Sequence, residues 1–327
     1  MITTRLTQRL GIDHPVMLAG MAGVSYHRLA AAVSEAGGYG CLGATSIPAE
    51  EMVAEMRATR ALTDRPFGVD LLTPMTGDLL ERVRQVIDEG ASLFVAGLGI
   101  TEEVVDLCHR NGLVVGSMCG KVDHARRAAD AGCDLVIAQG TEAGGHTGRI
   151  ATLPLVPQVV DEVGDRVVVV AAGGVFDGRG LAAALALGAD GVWVGTRFVA
   201  THEARVQQGF KERLLETAED GTVVTTAYTG KTCRVIDNEY TRYFQRHPEE
   251  LSGFPDQAVR AYEEGVNHLG APDATDVDPE REFYPSGQAA GAIHQLEPAA
   301  QVVNGMVAEA ERVLSRLRAD AGLLERT

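Results

Sequence analysis

Short apolar runs alternate with amphipathic helical patterns eight times between Val16 and Thr196, and this rhythm constrains the fold most strongly. The seventh run, 167–171, is an unbroken Val-Val-Val-Val-Ala, which is typical of a parallel strand covered on both faces. The fifth run is predicted at 113–116. Asp78, with Glu81 three residues later, predicts a capped helix that starts there. Eight strand-then-helix units predict a (β/α)8 barrel of the TIM type, an α/β fold.

An open, doubly wound sheet is the alternative arrangement of alternating strands and helices. Such a sheet usually has fewer strands and carries its glycine fingerprint after the first one. In this chain glycines follow most of the predicted strands, no G-x-G-x-x-G follows the first, and no G-x-x-x-x-G-K-[ST] is present. The barrel is therefore the favoured prediction.

The strand–helix rhythm ends after Arg197. Residues 203–289 contain a helical pattern near 205–217 and a segment rich in Pro, Asp and Glu at 271–285. We predict that this stretch is a small cap or lid inserted before the last barrel helix, which is expected at 298–317. The predicted barrel domain comprises residues 1–202 and 290–327, and the predicted cap comprises residues 203–289.

The composition excludes several classes of partner. A formal net charge of −16 argues against nucleic acid or an anionic membrane. No stretch has the roughly 18 apolar residues that span a bilayer, and the N-terminus lacks the apolar core of a signal peptide. The five cysteines show no C-x-x-C spacing, so neither a disulfide framework nor a metal site is expected. We expect a cytoplasmic protein, and whether it forms a homodimer is left open.

A glycine-rich loop at 139–148 follows the sixth predicted strand and carries Gln139, Glu142 and His146. Glycine accepts backbone angles that other residues cannot, so a flat ligand can approach such a loop closely. A histidine in it can act as an acid or base near neutral pH. A tight turn with a structural histidine is an equally good interpretation of the loop alone. Glu142 either orients the imidazole or serves as a solvated or capping group.

Two further loops predict a phosphate site. Gly173 and Gly174 follow the seventh strand, and Gly195 and Thr196 follow the eighth. The active site of a TIM barrel lies at the C-terminal ends of its strands, where these two loops often bind phosphate through backbone amides. A plain turn is the alternative for the first pair. Arg197 is expected to pair with a phosphate or with Asp190.

Several of these motifs, taken in order, resemble those of the nitronate monooxygenase family, formerly called 2-nitropropane dioxygenases. The FMN-dependent enoyl-acyl-carrier-protein reductases of the same superfamily are equally similar. The resemblance is carried by 139–146, by Ala-Ala-Gly-Gly-Val at 171–175, by Gly-Thr-Arg-Phe at 195–198, by 15–23 and by Gly-Gln-Ala-Ala-Gly at 287–291. It covers residues 1 to about 200 throughout and the last third more loosely.

The resemblance implies FMN as the cofactor, bound on a barrel. His146 matches the catalytic base of the family. The FMN phosphate is implied on the loops after strands seven and eight, with Gln139 and Gly145 also at the flavin and Met21 and Gly23 behind the ring. The complete set of implied cofactor residues is Met21, Gly23, Asp70, Gln139, Gly145, Gly173, Gly174, Trp193, Val194, Gly195, Thr196 and Gln288.

Two residues depart from the family pattern. Asp70 stands where the family usually has Asn beside the flavin, and a carboxylate there disfavours a reduced, anionic flavin unless it is protonated or paired. Trp193 stands where a smaller or polar residue is usual. Both departures concern redox tuning and substrate choice more than cofactor binding.

The resemblance implies the FMN-dependent oxidation of alkyl nitronates by molecular oxygen to a carbonyl compound and nitrite. The alternative that it implies is an NAD(P)H-dependent reductase of enoyl thioesters. A third hypothesis is a flavin-binding sensor without catalytic activity, with the insertion as its partner surface.

Overall fold

The protein is described by a computed structural model that covers residues 2–324, with side chains as far as residue 320. Eight parallel strands form one sheet, in the order β1, β9, β8, β6, β5, β4, β3, β2. Met17 of β1 and Tyr39, just before β2, form a parallel bridge that brings the two ends of the sheet together. The barrel strands are β1 Val16–Leu18, β2 Gly40–Gly43, β3 Phe67–Leu72, β4 Leu93–Gly97, β5 Val114–Cys119, β6 Leu135–Gln139, β8 Val168–Ala172 and β9 Gly191–Val194.

The predicted (β/α)8 barrel is confirmed. One or more helices follow each strand and pack on the outside of the sheet. The helices are α1 Arg5–Leu10, α2 His27–Glu35, α3 Ala49–Leu62, α4 Leu79–Asp88, α5 Glu102–Arg110, α6 Val122–Asp130, α7 Thr152–Val163, α8 Gly178–Ala186, α9 Thr196–Val199, α10 Gln208–Leu215, α11 Glu239–Arg246, α12 Asp256–Glu263 and α13 Ala299–Leu324. Short 3₁₀ helices lie at Thr73–Met75, Pro248–Glu250 and Gln288–Ala292.

The barrel has two apolar layers, because side chains alternate between the two faces of each strand. One layer lies between the strands and the surrounding helices. The other fills the barrel interior and includes Met17, Leu93, Ile137 and Trp193. Helix α1 packs Leu6 into this interior layer from the N-terminal end of the strands. That end is thereby closed, and the opposite end is left for ligands.

The 203–289 insertion carries α10, α11 and α12 and the hairpin of β10 (Thr222–Thr225) and β11 (Cys233–Ile236). It has an apolar cluster of its own, which includes Tyr228, Tyr240, Phe244 and Phe283. Strand β11 also pairs with the two-residue strand β7, Gly145–His146, from the loop after β6. The insertion is thus joined to the barrel by a ladder of backbone hydrogen bonds. The exact domain boundaries stay a prediction.

The last helix, α13, packs against α8 as the predicted final barrel helix. A methyl group added at Gly178, where α8 begins, would lie 2.3 Å from the carbonyl oxygen of Met306 and 2.5 Å from the amide nitrogen of Ala310. Glycine is therefore required by the close approach of the two helices. Gly305, within α13, has no atom within 4 Å of the same added group.

We predict opposite effects of alanine at these two glycines. Gly178→Ala should lower the free energy of unfolding by about 1–3 kcal/mol through overpacking. Gly305→Ala should raise it by up to about 1 kcal/mol, because alanine favours a helix and its methyl group meets open space. Denaturant unfolding of the two variants beside the unaltered protein measures both effects. Equal stability of Gly178→Ala and the unaltered protein would show that α8 and α13 do not pack as described.

Candidate functional site

The loops that follow β6 and β9 meet the 3₁₀ helix Gln288–Ala292 at the C-terminal end of the barrel. The amide of Gly287 donates a hydrogen bond to the hydroxyl of Thr196 at 2.9 Å. The amide of Gln288 donates to the carbonyl of Glu142, also at 2.9 Å. A methyl group at Gly144 would lie 2.7 Å from the amide nitrogen of Gly287, so only glycine allows this approach. Three sequence-predicted segments therefore form one continuous surface.

Glu142 holds this surface together and does not orient His146. Its carboxylate accepts hydrogen bonds from the amide of Thr152, at 2.9 and 3.1 Å, and from the Thr152 hydroxyl, at 2.9 Å. Of the alternatives left open by the sequence, the structure shows the capping role, because Thr152 is the first residue of α7. The side chain of Glu142 also lies against Gly174, 3.4 Å from the position of a Cβ there.

His146 is held by its backbone in the β7–β11 ladder, where it is the register partner of Cys233. The side-chain amide of Gln139 donates to the carbonyl of His146 at 2.6 Å. The imidazole Nε2 lies 3.3 Å from the hydroxyl of Thr229 in the insertion. Burial, and then the positive charge of Lys231, lower the pKa of His146. The ring is therefore neutral at pH 7 and able to accept a proton.

A cavity of about 800 Å³ opens at the C-terminal ends of β4, β5 and β6. Gln139 and His146 lie in its wall, together with Ser117, Met118 and Thr232. Its size is in the range of sites for cofactors and drug-sized ligands. Of the site residues predicted from the sequence, Gln139 and His146 line this cavity.

The loops after β8 and β9 have the properties of a phosphate cradle. Gly173 and Gly174 have φ angles of 99° and 74°, which residues with a side chain rarely adopt. The amides of Gly174, Gly195 and Thr196 donate no hydrogen bond to any group within residues 2–324. Gly174 is exposed, and Gly195 and Thr196 are half-buried, so these unpaired amides are accessible to an anionic ligand. The hydroxyl of Ser286, beside Gly287, is also buried without a partner in the described chain. This donor set fits FMN.

Met21 and Gly23, which follow β1, have different surroundings. The sulfur of Met21 lies 3.3 Å from the position of a Cβ at Gly195, so Met21 borders the predicted phosphate loop. Gly23 has a φ angle of 78°, and a methyl group there would lie 2.6 Å from the amide nitrogen of Gly270 in the insertion. The close approach of the insertion thus gives Gly23 a packing role.

The side chains of Trp193 and Val194 are both buried. The indole of Trp193 is 5% exposed and belongs to the barrel interior. The side chain of Val194 points the other way, into the layer beneath the helices. The cofactor role implied for these two residues stays a prediction.

Asp70, at the C-terminal half of β3, is 7% exposed and makes no side-chain hydrogen bond within the described chain. A methyl group at Gly20 would lie 2.2 Å from the Asp70 Cβ, so the two loop ends are packed tightly. Burial raises the pKa of Asp70 to about 8. At neutral pH the group is a neutral carboxylic acid, which removes the negative charge that its substitution for Asn suggested.

Of the two partners considered for Arg197, Asp190 is wrong. Asp190 pairs instead with Arg5 of α1 at 2.7 Å, because α1 crosses the N-terminal end of the barrel there. The guanidinium of Arg197 pairs with Glu297 at 3.0 Å and is 7% exposed. Arg197 thus fastens the segment before α13, and its pairing with a phosphate stays a prediction.

Comparison with known proteins identifies the family of this chain. The family model described as nitronate monooxygenase matches residues 3–79 and 75–309. The chain belongs to the nitronate monooxygenase family. The homologues are oxidoreductases, which supports an enzymatic role for this member.

Three similar proteins show the range of the family. A Mycobacterium tuberculosis protein named (3aS,4S,5R,7aS)-5-hydroxy-7a-methyl-1-oxo-octahydro-1H-indene-4-carboxyl-CoA dehydrogenase is 42% identical over 239 residues, 73% of this chain and 67% of that protein. FabK from Thermotoga maritima is 34% identical with a TM-score of 0.88, covering 98% of this chain and 99% of that one. Nitroalkane oxidase from Streptomyces ansochromogenes is 30% identical with a TM-score of 0.84, covering 95% and 99%.

Sequence reasoning did not identify several residues of the site. Lys121, Arg149 and Lys231 line the cavity, and Thr229 lies at the imidazole of His146. Lys121, Thr229 and Lys231 are separated along the chain from the glycine motifs, whereas Arg149 directly follows one, and all four resemble ordinary surface residues in the sequence. For two of them the sequence holds an indication of a site role, because Lys121 and Arg149 follow the fifth and sixth strands. Within residues 2–324, no helix is both long enough and apolar enough to cross a bilayer.

The glycine at 174 provides a test of the phosphate cradle. Gly174→Leu should yield protein that has lost most of its FMN, because the side chain occupies the cradle. Gly90→Leu is the matched control, since Gly90 has a similar φ angle of 72°, lies at the end of α4 and has no atom within 4 Å of an added Cβ. Both variants carry the same backbone strain, so absorbance of released FMN separates cofactor loss from destabilisation. Equal FMN content in the two variants would remove Gly174 from the cofactor site.

The buried acid predicts a pH dependence of stability. Unfolded Asp70 loses its proton near pH 4, whereas folded Asp70 keeps it to about pH 8. The folded state binds more protons between these values, so the free energy of unfolding contributed by Asp70 falls as pH rises through this window. The asparagine of Asp70→Asn cannot ionise. Between pH 5 and 8 this variant should therefore lose less free energy of unfolding than the unaltered protein, by about 1–3 kcal/mol, which corresponds to several degrees in melting temperature.

Thermal unfolding at both pH values, in protein of matched FMN content, measures this difference. Asp88→Asn makes the same chemical change at an exposed position of α4 and serves as the control. An identical pH dependence in all three proteins would show that Asp70 ionises normally in the folded state.

Proposed function

We propose that this protein is an FMN-dependent oxidoreductase that oxidises alkyl nitronates, with molecular oxygen as the oxidant, to a carbonyl compound and nitrite. One observation carries the proposal: a neutral imidazole, His146, lies in the wall of a ligand-sized cavity and on the same glycine loop that joins the phosphate cradle. A base so placed suits the removal of the acidic proton next to a nitro group. The family membership agrees with this chemistry.

The hydrogen bonds around His146 indicate which nitrogen is basic. The hydroxyl of Thr229 donates to the carbonyl of Lys231 at 3.0 Å, so its oxygen is an acceptor toward the imidazole. This arrangement assigns the ring proton to Nε2 and leaves Nδ1 with its lone pair. His146 then takes the α-proton of a neutral nitroalkane at Nδ1, and a preformed nitronate does not need this step.

The other residues hold the cofactor and shape its surroundings. FMN, when bound, supplies the electron transfer between substrate and oxygen. The amides of Gly174, Gly195 and Thr196 would donate to its phosphate, while Gln139 and Gly145 would border its ring. Protonated Asp70 adds a neutral hydrogen-bond donor near this ring, so it opposes a reduced, anionic cofactor less than a carboxylate would.

Reduction or dehydrogenation of an acyl thioester is the second candidate function. The volume of the cavity, about 800 Å³, favours it, because a small nitronate and the flavin ring beside Gln139 would together leave part of that space unfilled. The similar FabK and the similar carboxyl-CoA dehydrogenase agree with a larger substrate. In that reaction His146 faces the thioester end of the ligand.

Anaerobic mixing of the yellow protein with one reductant at a time distinguishes the candidates. Bleaching by an alkyl nitronate without NAD(P)H supports the proposed function. Bleaching of the flavin by NADH or NADPH, followed by its reoxidation with a crotonyl thioester, supports the second candidate when a nitronate alone causes no bleaching. FMN binding without bleaching by any of them would indicate a sensor and contradict both enzymatic functions.

His146→Ala tests the base directly. A positioned general base contributes about 10²–10⁴-fold to a rate, so turnover of neutral nitroalkanes should fall by about that factor. Oxidation of preformed nitronates should fall much less, because they already lack the α-proton. Oxygen uptake and nitrite release with both substrates measure the two effects, in protein that retains its FMN and its melting temperature.

His109→Ala is the matched control, since His109 is exposed on α5 and lies away from the cavity. It should leave both rates unchanged. Equal slowing of both substrates in a stable, flavin-loaded His146→Ala protein would rule out proton transfer by His146. Loss of FMN or of several degrees of stability would instead favour a structural histidine.

A further inference from the structure

The wall of the cavity has a charge opposite to that of the whole protein. It contains Lys121, Arg127, Arg149 and Lys231 and no aspartate or glutamate, although the chain has 45 acidic and 29 basic residues. In a chain with a net charge of −16, such a segregation gives the cavity a local positive potential. A neutral or singly charged substrate does not require it.

Backbone contacts bring three of these cations together from three separate loops. A methyl group at Gly148 would lie 3.0 Å from the carbonyl oxygen of Gly120, so the loops that carry Lys121 and Arg149 touch at the adjacent residues. The amide of Thr147 donates to the carbonyl of Thr232 at 3.2 Å, which places Lys231 beside the same loop. The β7–β11 ladder continues this contact. The arrangement is therefore built by the backbone and does not depend on flexible side chains alone.

Carboxylates within the protein neutralise only part of this charge. Lys121 and Arg127 share Asp123, at 3.5 and 3.1 Å. Arg149 and Lys231 form no ion pair among the described residues, and the ammonium of Lys231 lies over the ring of Phe254 at 4.3 Å. Two cations thus remain available to a ligand. The positive charges also help to lower the pKa values of His124 and His146, which line the same cavity.

We propose that Lys121, Arg149 and Lys231 form a binding subsite for the phosphate groups of a nucleotide-containing substrate or cosubstrate. Several cations on neighbouring loops of one cavity match a pyrophosphate better than a single carboxylate. The subsite is distinct from the cradle for the FMN phosphate, which lies on the loops after β8 and β9. It rests on the proposed function in one respect, that His146 marks the reacting end of the cavity.

Two sources can supply this chemistry, a coenzyme A thioester and a nicotinamide dinucleotide. Both present an adenosine pyrophosphate on an arm long enough to leave the reacting group near His146. The shared chemistry is therefore the phosphorylated adenosine end, and the binding experiment separates the two sources.

The test is calorimetric binding of coenzyme A, NADH and NADPH to the FMN-loaded protein. At least one of them should bind, and its affinity should weaken as salt is raised from about 20 to about 200 mM, because the Debye length shortens. Pantetheine, which lacks the phosphates, should bind far more weakly than coenzyme A. Binding of coenzyme A alone assigns a thioester substrate, and binding of a nicotinamide dinucleotide assigns the cosubstrate.

Substitutions locate the binding in the subsite. Arg149→Gln and Lys231→Gln should each raise the dissociation constant about tenfold, the value of one charge-assisted hydrogen bond. Arg110→Gln is the matched control, since it also removes one positive charge but lies at the C-terminal end of α5, at the opposite end of the barrel. Its dissociation constant should match that of the unaltered protein. FMN content and melting temperature of each variant verify that the fold is retained.

Absence of binding by all three nucleotides, or binding that responds equally to Arg110→Gln and Arg149→Gln, would overturn the subsite. These measurements are separate from the proposed function, which is tested by nitronate turnover in the unaltered protein. Nitronate oxidation without nucleotide binding would refute the subsite alone. Nucleotide binding at the subsite without nitronate oxidation would refute nitronate oxidation and leave the subsite intact.

Discussion

The short antiparallel ladder between β7 and β11 is the interaction on which the site depends. It pairs Gly145 and His146, from the barrel loop, with Arg234 and Cys233 of the insertion. The guanidinium of Arg234, 7% exposed, reinforces it by donating to the carbonyl of Thr141 at 2.9 Å. The ladder fixes the glycine loop together with Gln139, which donates to the carbonyl of His146, and Glu142, which accepts from Thr152. With it, the imidazole is oriented and the insertion forms part of the cavity wall.

Burial sets the protonation states of the two titratable groups most relevant to the chemistry. Removal from water disfavours the charged form of each, so it raises the pKa of Asp70 and lowers that of His146. Both groups are consequently neutral at pH 7, one as a hydrogen-bond donor and the other as a proton acceptor. The departure of Asp70 from the family pattern thus keeps an uncharged donor where an asparagine is usual, and it adds a dependence on pH.

Much of the barrel could be predicted from local patterns, because each strand and helix leaves its own periodicity. The run 167–171 lies within one residue of β8, and the side chain of Asp78 accepts from the amide of Glu81 as predicted. The fifth strand extends further than expected, to Cys119, because its ladder with β6 continues to Ala138. Pairing between strands distant in the chain decides such ends, and a single run of residues does not contain that information.

The amino-acid sequence by itself determined the barrel class, the glycine loops at its C-terminal end and the histidine among them, since glycine content, apolar periodicity and motif order are local properties. Only the tertiary structure decided what surrounds these loops. In it, Arg197 forms an ion pair with Glu297, Glu142 accepts a hydrogen bond from Thr152, and Trp193 packs inside the barrel. It also brought Lys121, Arg149 and Lys231 to one cavity. The physical reason is that ion pairs, burial and potential depend on distances in space between segments that are far apart in the chain, and these distances are set when the barrel closes and the insertion docks.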